Sequence, residues 1–110
     1  MEIKTREERD VTVVSVTGRM GELTAPAFEE AMKNFIAQGK TKFVVDLGEL
    51  EYISSAGLRS ILAITKVLKE KNGTIVLTGL SGAVREVFAI TQFISVFATY
   101  DKPEDALAEL

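Results

Sequence analysis

Residues 44–62 read VVDLGELEYISSAGLRSIL, and their order decides the fold. Lys42 to Leu47, KFVVDL, is a short apolar run of the kind that fits a strand buried on both faces. A loop follows, Gly48 to Gly57. From Ala56 to Lys71 the apolar residues change period. Leu58, Ile61, Leu62, Thr65 and Leu68 make one face of a helix, and Arg59, Lys66, Lys69 and Glu70 make the other. Asn72–Gly73 closes it. The stretch is therefore one strand–loop–helix unit.

Strands and helices go on alternating outward along the chain. Thr74 to Thr78 predicts a second buried strand. Ser81 to Ile90 predicts a helix with Ser81 as its cap, Ser95 to Thr99 a short strand, and Pro103 to Leu110 a terminal helix capped by Asp101. Upstream, Thr24 to Gln38 predicts a helix. Thr24 is its N-cap, Pro26 lies in its first turn, Phe28, Ala31, Met32 and Phe35 form its apolar stripe, and Gly39 stops it. Val11 to Thr17, VTVVSVT, is a strand dense in β-branched residues and ends at Gly18. Met1 to Arg6 alternates weakly and predicts an edge strand, joined to it by a polar turn over Glu7 to Asp10. Strands that alternate with helices form a mostly parallel sheet with crossover helices. The opening hairpin makes that sheet mixed. One α/β domain spanning residues 1–110 is expected, with no internal repeat or linker.

Composition narrows the chemistry. The 110 residues carry a formal charge of −3, which disfavours nucleic acid as a partner. There is no cysteine, hence no disulfide and no thiolate metal site. There is no histidine, which removes the commonest general base and the commonest metal ligand, and with them serine–histidine chemistry. No apolar run is long enough to span a membrane. The charged Met1 to Asp10 does not read as a signal peptide. A cytoplasmic binding protein without metal or cofactor is the expectation, and an enzyme is not.

In open sheets of this kind, partners meet the loops that follow the strands. Two such loops carry information: Gly18 to Thr24, GRMGELT, and Gly48 to Gly57, GELEYISSAG. Ser54 and Ser55 precede the helix start. A serine there can cap the helix. It can also carry a phosphate, since a helix N-terminus offers free N–H groups and a positive dipole end. Ala56 and Gly57 leave the approach to the serine open. Asp46, at the end of the apolar strand, is placed to bond loop backbone and hold the serine loop in shape. Glu49 and Glu51 are too few for a cation site and read as solvated turn residues. Gly18 to Gly21 lacks the spacing of a phosphate loop, and Gly79-Leu-Ser-Gly82 lacks the full pattern of a nucleophile elbow. Phe88, Phe93 and Phe97 read as core.

Val44 to Leu62 resembles the signature of STAS domains, the sulfate-transporter and anti-sigma factor antagonist family. The pattern is strand, aspartate–leucine, apolar or aromatic residue, serine pair, glycine–leucine, helix. VTGRMGELTAPAFEE resembles the family's second strand, glycine turn and first helix, so the likeness spans nearly the whole chain. It implies an anti-sigma factor antagonist. Such a protein binds a serine kinase of the histidine-kinase-like ATPase superfamily that doubles as an anti-sigma factor, and binding releases the sigma factor. The kinase then phosphorylates a serine at the start of the second helix, and a PP2C-type phosphatase reverses the step. The matching position is Ser55, with Ser54 as a second candidate. The implied contact patch is Gly21, Glu22, Ser54, Ser55, Ala56, Gly57 and Arg59. Two positions depart from the pattern: the turn Gly18-Arg19-Met20-Gly21 lacks the usual aspartate, and Ser54 stands where several members carry one. The other implied role is a docking subunit of a lipid-transporting ABC complex or a stressosome-like assembly.

Overall fold

The computed structural model describes residues 1–110. Strands β1 (Glu2–Glu8) and β2 (Val11–Met20) form the antiparallel hairpin. Then come α1 (Ala25–Ala37), β3 (Lys42–Asp46), β4 (Leu50–Ile53), α2 (Ser55–Glu70), β5 (Thr74–Thr78), α3 (Gly82–Ile90), a 3₁₀ turn (Phe93–Ser95), β6 (Thr99–Tyr100) and α4 (Pro103–Glu109). The sheet has six strands in the order β1-β2-β3-β5-β6, with β4 joined to β2. Only the β1–β2 pair is antiparallel.

Side-chain alternation in β2 sorts the two faces. Val14, Val16 and Met20 enter the large core with Phe28, Met32 and Ile36 of α1 and with Leu58, Ile61, Ile64 and Leu68 of α2. Val11 and Val13 point the other way, where Val44, Val76 and Ala106 of α4 complete a smaller cluster. Phe88 and Phe97 meet edge to face at 6.1 Å in the large core, and Phe93 only packs against its margin. No helix is long and apolar enough to cross a membrane.

Five local expectations are corrected. The turn expected over Glu7 to Asp10 is shorter, because Glu7 and Glu8 pair with Thr12 and Val11 as the end of β1. The sequence predicts loop at Leu50–Ile53, where the structure has strand β4: its four residues, LEYI, bury only Leu50 and Ile53 and show no alternation. Because β4 offers a new ladder partner, β2 runs past Gly18 to Met20. Gly18 absorbs the register shift there with φ +92°, a left-handed conformation that glycine adopts without strain. The expected strand at Ser95 to Thr99 begins only at Thr99, after the 3₁₀ turn. Neither Thr24, Ser81 nor Asp101 caps a helix through its side chain, and Lys102 rather than Asp101 holds the cap position of α4.

Candidate functional site

The junction of β4 and α2 brings the two serines to one end of the sheet. The Ser54 N–H donates to the Met20 carbonyl at 2.9 Å, which continues the β2–β4 ladder into the helix start. Ser54 is the N-cap. Its backbone is extended, its carbonyl accepts from the Leu58 N–H at 3.0 Å, and its Oγ accepts from the Gly57 N–H at 3.3 Å. Ser55, expected just ahead of the helix, is its first residue, and its side chain is exposed. The two serines thus differ: one is half-buried and engaged in capping, the other is free of that task and open to solvent.

Gly57 does not share the surface assigned to it from the sequence. It is buried beneath the helix start. A Cβ there would lie 2.7 Å from Ile53 Cγ1 and 2.9 Å from the Met20 carbonyl oxygen, so glycine lets α2 sit directly on the ends of β2 and β4. Five of the other residues line two adjoining hollows. Ala56 and Arg59 line a groove of about 760 Å³ between α1 and α2. Gly21 and Ser54 line a neighbouring hollow of about 750 Å³, and Glu22 borders both.

The turn that faces the serines is braced by Thr24. Its Oγ1 donates to the Arg19 carbonyl at 2.8 Å and accepts from the Gly21 N–H at 2.9 Å. These bonds explain why Thr24 holds the N-cap position of α1 without a side-chain cap: its hydroxyl closes the preceding turn instead. The Arg19 guanidinium lies 4.2 Å from the centre of the Tyr52 ring, a cation–π contact between the turn and β4. Leu23, at the tip, is 96% exposed. Sequence reasoning missed Arg19, Leu23 and Tyr52. A leucine set between Glu22 and Thr24 in a turn was the one available signal.

Asp46 holds the loop that leads to β4. Its Oδ1 accepts from the Gly48 N–H at 3.0 Å, with the Thr78 hydroxyl at 3.5 Å, and Ser15 Oγ donates to Oδ2 at 3.4 Å. Glu49 and Glu51 are both exposed. The carboxylates that the fold makes more acidic lie at the far end of β2. A hydrogen bond from Lys40 holds Glu7 below the ordinary carboxylate value, with Thr12 adding to it, and one from Lys42 does the same for Asp10.

The chemistry available at the serine end is recognition and modification. The first helical turn presents N–H groups that have no intrahelical acceptor, beside an exposed hydroxyl. A phosphate on Ser55 would project into solvent from the positive end of the α2 dipole.

Comparison with known proteins identifies the family and the fold. Residues 2–106 match the family described as the STAS domain. BtrV of Bordetella bronchiseptica, described as a candidate anti-sigma factor antagonist, is 38% identical over 96 residues, covering 87% of this chain and 83% of its own. The anti-sigma-B factor antagonist of Listeria monocytogenes is 31% identical over 91 residues, covering 83% of this chain and 79% of its own. Among solved structures, the candidate anti-sigma factor antagonist tm1081 of Thermotoga maritima superposes with a TM-score of 0.91 over 97% of this chain and 92% of its own, at 22% identity, which speaks for the fold. The chain belongs to the STAS domain family.

Proposed function

We propose that this protein is an anti-sigma factor antagonist that works by partner switching, with Ser55 as its phosphorylated residue. In the unphosphorylated state, Ser55 lies inside the contact surface with a serine kinase of the histidine-kinase-like ATPase superfamily, and that kinase is also the anti-sigma factor. Binding sequesters the kinase and frees the sigma factor. Phosphorylation of Ser55 ends the complex, and a PP2C-type phosphatase restores it.

The observation that carries this reading is the division of labour between the serines: Ser54 caps α2 and Ser55 stands exposed on its first turn. A kinase can therefore modify Ser55 without removing the cap. The relatives named as anti-sigma-B factor antagonists support the partner class. The switch is electrostatic. A phosphate adds about −1.5 to −2 charges in the middle of a surface that must be desolvated on binding. A loss of about 3 kcal/mol weakens a complex more than a hundredfold. The docking surface consists of Gly21, Glu22, Ser54, Ala56 and Arg59 around Ser55, with Asp46 and the buried Gly57 positioning it from beneath.

The test is to recover the protein from its native host and map its phosphate. Trypsin releases the peptide Phe43–Arg59, which carries both serines, and fragment ions separate them. Phosphate on Ser55 supports the reading. Phosphate on Ser54, or none under any growth condition, overturns the assignment.

A further inference from the structure

Arg59 stands one helical turn below Ser55 on α2. Residues four apart on a helix share a face, with Cβ atoms about 5–6 Å apart. Arg59 is exposed, and the chain's five ion pairs leave it without a carboxylate partner. Its side chain lines the groove between α1 and α2. The charged groups facing it there are Glu22 from the β2–α1 turn and Glu29, Glu30 and Lys33 from α1. Of these, Glu29 is already tied to Lys33 at 2.9 Å. Arg59 is thus an uncommitted cation within reach of the modified residue.

We infer that Arg59 is the internal counter-ion of phosphorylated Ser55. This rests on the assignment of Ser55 as the phosphorylated residue. A guanidinium takes a phosphate in a two-pronged geometry that a lysine cannot match. A dianionic phosphate also attracts it more strongly than the single charges of Glu22 or Glu30. Phosphorylation therefore has two effects at once. It places charge on the tip of α2, and it draws Arg59 from the α1–α2 groove towards that tip. The surface that a partner meets changes along the groove as well as at the serine. Pairing also favours the dianion over the monoanion, so it lowers the second ionisation of the phosphate.

The test follows that ionisation by phosphorus NMR. The full chain is made with phosphoserine incorporated at position 55 by genetic code expansion, so no kinase is needed. Its titration is compared with those of Arg59→Gln and Lys66→Gln in the same background. Lys66 is a second exposed α2 cation, eleven residues from Ser55 and about 16 Å along the helix axis. Arg59→Gln raises the phosphate pKa by about 0.2–0.4 unit, and Lys66→Gln leaves it in place. An unchanged value in Arg59→Gln overturns the inference, and so does an equal shift from Lys66→Gln. Neither result bears on whether Ser55 is phosphorylated in the host, which the peptide mapping decides separately.

Discussion

The Ser54 N–H donates to the Met20 carbonyl at 2.9 Å, and this bond joins the serine pair to the end of strand β2. It makes the GRMG turn and the serine loop one structural unit. Two loops far apart in sequence thereby present one surface.

Ser54 and Ser55 should respond differently to truncation. Ser54→Ala removes the N-cap oxygen and costs about 1 kcal/mol of stability. Ser55→Ala touches no cap and stays within about 0.5 kcal/mol of wild type. Urea unfolding of the two variants gives the comparison. Equal losses would mean that the hydroxyls share the capping role.

Gly57→Ala puts a methyl group against Ile53 and the Met20 carbonyl at distances real Cβ atoms do not adopt. Either α2 lifts from the strand ends or the backbone strains. The expected cost is about 1–3 kcal/mol, read as a lower denaturation midpoint with an unchanged m-value. The damage should extend to partner binding, because the same contact sets the height of Ser55 above the sheet.

Leu23 behaves in the opposite way. At 96% exposure it contributes nothing to the core, so Leu23→Ser leaves the unfolding midpoint unchanged. If the proposed docking surface extends from Gly21 and Glu22 onto the tip of this turn, the exposed leucine is an apolar anchor for the partner. Its loss should weaken partner retention at least tenfold in a pull-down titration, and retention equal to wild type would remove Leu23 from the docking surface.

The far end of β2 predicts an acid response. Lys40 and Lys42 hold Glu7 and Asp10 below their ordinary carboxylate values. A carboxylate with a depressed folded value adds stability that is present above its unfolded value and is lost as the pH falls through the folded one. The Lys40→Gln, Lys42→Gln double variant should therefore melt lower than wild type at neutral pH. The difference should close as the pH drops below about 4. Both pairs are exposed, so the difference is small and shrinks in high salt. A gap that persists at low pH would assign the effect to packing.

Much of this arrangement is legible in the sequence. The run KFVVDL and the helical period from Leu58 to Leu68 report burial directly, because a strand covered on both faces and a helix covered on one leave different periods. The serine pair before Ala56 marks the helix start to within one residue. The strand Leu50–Ile53 is not legible. It has one ladder partner, and the paired residues there lie 32 or 33 positions upstream, across a register shift at Gly18. Long-range pairing, rather than local propensity, makes those four residues a strand. Thr24 reads as a cap because a threonine before a helix ordinarily is one. Only the fold reveals that Arg19 and Gly21 claim its hydroxyl first. Leu23 and the Arg19–Tyr52 contact are equally products of the closed turn.

The most direct test is a pull-down from the native host with wild-type and Ser55→Asp baits, read by mass spectrometry. A protein with a histidine-kinase-like ATPase domain should be held by the wild type and lost by Ser55→Asp. The same protein held equally by both baits would contradict switching at Ser55. Transporter subunits held equally by both would assign the domain a stable docking role in place of partner switching.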